Sequence, residues 1–136
     1  MTNISSIALT LLIAWSLLLL IMMEVLRVRL VVTGAIAGPQ FRPDNANLSP
    51  FMQRLARAHG NCIEGLPIFG GLLVVALLTN RAEITNGLAM WLLMARVVQS
   101  LAHLSSLSVL AVNTRFAAFS VQMAIAAYWC WALLVP

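Results

Sequence analysis

Residues 7–23 read IALTLLIAWSLLLLIMM, and this stretch decides the class of fold. Thr10 and Ser16 are its only polar residues, and no charge occurs anywhere in residues 1–23. The hydrocarbon core of a bilayer is about 30 Å thick and is crossed by about 20 residues of α-helix. Because residues 1–6 contain no basic residue and no small-residue cleavage motif follows, the segment predicts a first membrane span rather than a signal peptide.

The composition of the whole chain agrees with a membrane protein. Of the 136 residues, 62% are apolar and 9% are charged, and the mean hydropathy is +0.96. A soluble domain is about 45–50% apolar and about 25% charged, so an ordinary soluble domain and a disordered chain are both excluded. Two cysteines are too few for a disulfide-stapled secreted domain.

Further long uncharged stretches predict three more spans. The turn-rich segment 38–47, GPQFRPDNAN, predicts the first loop, and Ser49 followed by Pro50 is typical of a helix start. Asn113 or Thr114 is expected to cap the fourth helix. We therefore predict an all-α integral membrane protein, an up-down bundle of four transmembrane helices forming one domain over residues 1–136. The predicted spans are roughly 5–32, 50–79, 84–106 and 114–135.

The placement of basic residues predicts the orientation in the membrane. All eight basic residues are arginines, and five of them lie in or beside the first loop. Because basic residues are retained on the cytoplasmic side, loops 33–49 and 106–113 are predicted to be cytoplasmic and both termini non-cytoplasmic. A nucleic-acid partner is not expected, since such an interface needs many more basic residues on a soluble face.

Polar residues recur at helical spacing towards the predicted cytoplasmic ends. At about 100° per residue, the polar residues of each span occupy one face of its helix, and an up-down bundle brings these faces together. Five arginines against two glutamates then predict a site for a small anionic ligand that carries carboxylates and one ammonium group. The sets are Glu24 and Arg27 in span one; Arg54, Arg57, Asn61 and Glu64 in span two; Arg96, Gln99 and His103 in span three; and Arg115 and Gln122 in span four.

Two ion pairs are expected within this cluster. Arg96 is the most deeply placed charge, and we expect it to pair with Glu64 because an unpaired buried charge is far costlier than a paired one. Glu24 and Arg27 are three residues apart and are expected to form a structural pair.

Several of these residues also have simpler interpretations. Arg54 and Arg57 could extend to lipid headgroups, which for Arg54 is as good an interpretation as ligand binding. His103 could be an interfacial residue, and Gln99 could bond a neighbouring helix. Pro67 is expected to kink span two, either beside the site or as an ordinary membrane-helix kink.

Metal chemistry is not predicted. The sequence contains neither metal-ligand spacing nor a phosphate loop nor a serine-hydrolase motif. Cys62 and Cys130 are expected near opposite ends of the bundle and therefore unpaired.

Residues 57–69, RAHGNCIEGLPIF, resemble the R-A-H-x-N-x-x-E-x-x-P-x-F signature of the MAPEG family, the membrane-associated proteins in eicosanoid and glutathione metabolism. The resemblance extends over the whole chain through its length, its four spans, Ala95 with Arg96 in span three, and Arg115 at the start of span four. It implies a homotrimer with glutathione as cosubstrate, bound between subunits at the cytoplasmic side.

The resemblance also implies roles for individual residues. Arg115 matches the arginine credited with lowering the thiol pKa, because a nearby cation favours the thiolate. Arg27 or Arg29 would reach the glutathione of a neighbouring subunit. The full set of candidate binding residues is Arg27, Arg29, Arg54, Arg57, His59, Asn61, Glu64, Arg96, Gln99 and His103.

The chain also departs from the family pattern. Gly65 and His103 stand where several members have tyrosine, Gln99 stands where prostaglandin E synthase has histidine, and Phe116 stands where that enzyme has serine. Glutathione binding is therefore better supported than any particular reaction, and prostaglandin isomerisation is not expected.

The leading functional hypothesis is a glutathione transferase or peroxidase in a bacterial inner membrane. It would detoxify hydrophobic electrophiles that arrive from the bilayer. The alternative is a non-catalytic relative that binds lipid or a partner. A small multidrug-type transporter also has four short spans, but Glu24 lies near the end of span one and the arginine excess would repel cations.

Overall fold

The structure is a computed structural model that describes residues 3–136, and four long helices make up most of this part of the chain. Helix α1 spans Ile4–Val32, α2 Pro50–Leu78, α3 Glu83–Ser105 and α4 Val109–Leu134. A short 3-10 turn, Gly38–Gln40, lies in the connection between α1 and α2. Each long helix has the length and hydropathy needed to cross a membrane. The predicted all-α fold class with four spans is confirmed.

Side-chain caps explain where the helices begin. The Asn3 side chain accepts from the backbone N–H of Ser5 at the start of α1, and Ser49 accepts from Met52 N at the start of α2. Such caps satisfy backbone donors that have no partner within the first turn. The start predicted at Ser49 and Pro50 is confirmed.

The fourth helix begins at Val109, five residues before the predicted start of span four. Ser108 is the cap, and its hydroxyl accepts from Ala111 N at 3.2 Å. Thr114 lies inside the helix, where its hydroxyl donates to the Leu110 carbonyl at 2.8 Å. The expectation that Asn113 or Thr114 caps this helix was wrong, and the predicted loop 106–113 is reduced to residues 106–108.

Two apolar clusters hold the bundle together. One joins all four helices towards the end remote from the first loop, and its buried members include Leu12, Leu73, Leu92 and Trp129. The other lies beside the first loop and is built mainly by α1 and α2. Many large apolar side chains remain exposed on the outside of the bundle, as lipid contact or a subunit interface requires.

The end of the bundle remote from the first loop is fixed by polar contacts. The Ser5 and Thr85 hydroxyls lie 2.6 Å apart and join α1 to α3. The Arg81 guanidinium donates to the carbonyls of Ala132, Leu133 and Val135, each at 2.9 Å. Carbonyls at the end of a helix otherwise lack partners, so Arg81 has a structural role.

Candidate functional site

A polar cleft of about 440 Å³ lies beside the first loop, where α2, the end of α3 and the start of α4 meet. This is where the sequence predicted a polar cluster, and five of the predicted residues line it. Below we call it the polar cleft. Its walls are Pro43, Asp44, Ala56, Arg57, Gly60, Asn61, Glu64, His103 and Arg115.

A chain of side-chain contacts crosses the back of the polar cleft. Nη1 of Arg115 lies 2.8 Å from Nδ1 of His103. The other ring nitrogen, Nε2, lies 2.6 Å from the side-chain amide nitrogen of Asn61. His103 itself is only 8% exposed. One residue from each of α2, α3 and α4 is thus held in a fixed relation to the other two.

Two charged side chains of the polar cleft are available to a ligand. Arg57 and Glu64 are exposed, and the contacts within residues 3–136 include no hydrogen bond or ion pair to either side chain. A guanidinium binds carboxylates through paired N–H groups, and a carboxylate binds an ammonium group. With Arg115 and Asp44, the cleft carries two positive and two negative groups, which suits a ligand with separated charges of both signs.

The structure does not bear out the expected pair between Arg96 and Glu64. Arg96 is 3% exposed, its Nη1 donates to the backbone carbonyl of Asn61 at 3.0 Å, and its guanidinium lies 5.1 Å from the ring centroid of Phe69. Glu64 instead faces outwards. The reason is Gly65: a Cβ on this residue would overlap Nη2 of Arg96, so the missing side chain provides the space that the guanidinium occupies.

Arg54 also lies outside the polar cleft. Its Nε donates to the carbonyl of Leu104 at 3.1 Å, which satisfies an acceptor at the end of α3. This bond is a structural role, different from both of the interpretations that the sequence left open.

The expected pair between Arg27 and Glu24 is confirmed, with Nη1 2.9 Å from Oε1. Arg27 also donates to Oδ1 of Asn45 through Nε and Nη2, at 3.1 and 2.7 Å. Asn45 is buried and donates in turn to the Met52 carbonyl at 2.8 Å. Arg27 therefore ties the first loop to α1, and Asn45 ties the same loop to α2.

Arg29 is exposed and lines a separate groove of about 570 Å³ whose other walls are mostly apolar side chains of α1, the first loop and α2. This groove shares no lining residue with the polar cleft.

Two further candidate residues, Gln99 and His59, do not line the polar cleft. Gln99 is buried and accepts a hydrogen bond from Gln122 Nε2 at 3.0 Å, which joins α3 to α4 as one interpretation of the sequence foresaw. His59 is half-buried and does not line the polar cleft.

An apolar cavity of about 400 Å³ adjoins the polar cleft. Asn61 and Glu64 belong to the walls of both, so the two spaces meet at this point of α2. The remaining walls of the apolar cavity are Gly65, Ile68, Phe69, Phe119, Met123 and Ala126. A third space of about 320 Å³ lies beside Arg115 and Phe116 and also touches Asn61.

Sequence reasoning missed two kinds of residue. Asp44 and Asn45 lie in the first loop, where spacing on a helix carries no information. Asn45 adopts a positive φ of 55°, and the Asp-Asn pair is typical of a turn. Phe119 and Met123, which line the apolar cavity, are also absent from the prediction. Most residues of a membrane span are apolar, so an apolar residue in one gives no indication of a binding site.

The described residues contain no group of three or more His, Cys, Asp or Glu side chains that could hold a metal ion. Cys62 is buried and Cys130 is exposed, and both are free thiols as expected.

Comparison with known proteins gives one clear result. The MAPEG family model matches residues 5–135, nearly the whole chain. No curated protein and no solved structure matches significantly. The family match agrees with the four apolar helices and with the signature in α2. The chain is therefore an integral membrane protein that belongs to the MAPEG family, a membrane family associated with glutathione metabolism.

Proposed function

We propose that the protein is a glutathione-dependent transferase or peroxidase that acts on hydrophobic electrophiles. One observation carries this proposal: the polar cleft, with Arg57 and Arg115, shares the walls Asn61 and Glu64 with the apolar cavity. A charged thiol cosubstrate and an apolar acceptor could thus be held side by side.

The charges of the polar cleft match those of glutathione. Glutathione has two carboxylates, one ammonium group and one thiol. Arg57 would hold a carboxylate, and Glu64 or Asp44 would hold the ammonium group. Arg115 has N–H groups besides the one directed at His103, and these would lie next to the sulfur. A cation near a thiol stabilises the thiolate and lowers the thiol pKa.

The chemical step is a nucleophilic attack by sulfur. The glutathione thiol releases its proton to water at the mouth of the polar cleft. The thiolate then forms a C–S bond with the electrophile in the apolar cavity, and the leaving group departs with the electron pair of the bond that breaks. Arg115 stabilises the negative charge on sulfur before the attack. The apolar side chains around Phe119 would exclude water from the acceptor.

Assembly and location complete the proposal. We infer a homotrimer in a bacterial inner membrane, with both termini non-cytoplasmic and the polar cleft towards the cytoplasm. The many exposed apolar side chains support contact with lipid and with neighbouring subunits. Arg29, which does not reach the cleft of its own protomer, is the remaining candidate to contact glutathione in a neighbour.

Glutathione binding to detergent-purified protein tests the proposal. Calorimetry gives the affinity, and ultraviolet absorbance reports the thiolate at neutral pH. We expect wild type to bind with a thiolate signal, Arg115→Ala to lose that signal, and Glu64→Gln to bind more weakly. Arg42→Ala is the matched control, because it removes a positive charge from the same loop region without touching the polar cleft. An unchanged thiolate signal in Arg115→Ala would refute the proposed role of Arg115.

A second candidate is a non-catalytic relative that binds lipid or a partner. The groove beside Arg29, with walls that include Leu30, Ile36 and Phe51, is the observation that favours it. This candidate predicts a bound lipid in the purified protein, detectable by mass spectrometry, and no thiolate on addition of glutathione.

A further inference from the structure

His103 lies between two groups that restrict its chemistry. A guanidinium carries only N–H donors. Since Nη1 of Arg115 lies 2.8 Å from Nδ1 of His103, Nδ1 must accept the hydrogen bond and cannot carry a proton. The imidazole proton is therefore on Nε2, and the ring is uncharged in this arrangement.

This tautomer determines the orientation of the Asn61 amide. The 2.6 Å contact joins Nε2 of His103 to Nδ2 of Asn61. With its proton on Nε2, the ring donates here, and Nδ2 is also a donor. Two donors cannot share a hydrogen bond, so the amide must present its oxygen instead. A half-turn about χ2 exchanges Oδ1 and Nδ2 and provides the acceptor. The Asn61 NH2 group then points away from His103, towards the spaces that Asn61 lines.

We propose that His103 is a positioning residue that makes Asn61 a hydrogen-bond donor towards the ligand and holds Arg115 in place. The ligand atom beside Asn61 must then be an acceptor, such as a carbonyl, a carboxylate or a thiolate. A tyrosine at residue 103 would not impose this choice, because its hydroxyl both donates and accepts. The functional part of this inference rests on the proposed glutathione site, whereas the tautomer does not.

The tautomer can be measured on wild-type protein without any ligand. The chain contains two histidines, so ¹⁵N-histidine labelling gives two sets of ring signals in detergent micelles, and His59→Gln assigns them. We expect His103 to show an unprotonated Nδ1 and a protonated Nε2 at neutral pH. In Arg115→Ala the fixed tautomer should be lost and the signals should shift towards averaged values. A proton on Nδ1 of wild-type His103, or on both nitrogens, would overturn the inference.

Two substitutions test the positioning role. His103→Gln retains one acceptor and one donor on its terminal amide, whereas His103→Leu removes both. We expect glutathione to bind His103→Leu roughly tenfold more weakly than wild type, the change typical of losing a hydrogen bond to a charged group. His103→Gln should stay within about threefold of wild type, since its amide can make both bonds. Equal affinities of wild type and His103→Leu would overturn the positioning role.

The two proposals fail in different ways. If wild type binds no glutathione but His103 carries its proton on Nε2, the proposed function fails and the fixed tautomer stands. If glutathione binds but Nδ1 carries the proton, the proposed function stands and the present inference fails. Should His103→Leu not fold, the spectra of wild type and Arg115→Ala still decide the tautomer.

Discussion

Replacing Gly65 by alanine is a direct test of how the buried arginine is accommodated. The new Cβ would overlap Nη2 of Arg96 and lie 2.9 Å from Cε2 of Phe69. Both neighbours are buried, so neither can move away without disturbing the core. The Arg96 guanidinium would have to leave its bond to the Asn61 carbonyl, its position over the Phe69 ring, or both.

The size of the effect follows from two destabilising contributions and one stabilising contribution. Overpacking a closely packed site costs about 1–3 kcal/mol, and losing a hydrogen bond from a charged group costs a similar amount. Glycine to alanine inside a helix otherwise stabilises by about 0.4–1 kcal/mol. We therefore expect Gly65→Ala to lower the free energy of unfolding by about 1–5 kcal/mol, with the larger values if the Arg96 hydrogen bond is lost as well.

The assay is equilibrium unfolding in mixed micelles, followed by circular dichroism. Gly71→Ala is the matched control: it lies in the same helix, and a Cβ there has no neighbour within 4 Å. It should be neutral or stabilising by up to about 1 kcal/mol. In an Arg96→Ala background, Gly65→Ala should lower the free energy of unfolding by less than it does in wild type, because the guanidinium that the new Cβ would overlap is absent. A Gly65→Ala protein as stable as Gly71→Ala would refute the proposed packing.

Three further features, all outside the polar cleft, can be tested by substitution in the same unfolding assay. Arg81→Ala should destabilise by about 1–3 kcal/mol by leaving helix-terminal carbonyls without a donor, and unchanged stability would exclude this structural role. Ser108→Ala should cost about 1 kcal/mol by removing a helix cap, whereas Thr114→Ala should change stability little; the reverse order would contradict the observed start of α4. Asn45→Ala should lower the free energy of unfolding by about 1–3 kcal/mol and speed proteolysis of the first loop. If the variant resists protease as well as wild type does, Arg27 holds the loop without Asn45.

Much of the fold could be predicted from the sequence because long apolar runs leave little choice in a membrane. The start of α4 could not, since Ser108 competes as a cap with Asn113 and Thr114, and hydropathy does not rank them. All three are residue types that favour the cap position. Hydrogen-bond geometry in the folded chain decides between them.

The site was predictable in its location but less so in its contacts. Helical spacing placed Asn61, Glu64 and Arg115 correctly around one cleft. It did not indicate that Gly65 leaves space for the Arg96 guanidinium against α2, so that Arg96 stays buried while Glu64 faces outwards. Spacing also treats all arginines alike, although Arg54 satisfies a helix end. The predicted excess of positive charge is therefore distributed over several structural contacts.

The position of Asn61 on the wall of both the polar cleft and the apolar cavity has a thermodynamic consequence. A molecule in either space that displaces this side chain changes the binding energy in the other space. Suppose that a bound apolar compound changes the affinity of the protein for glutathione by some factor. By linkage, bound glutathione must then change the affinity for the apolar compound by the same factor. Affinities measured one ligand at a time would then differ from those that govern the protein when both ligands are present.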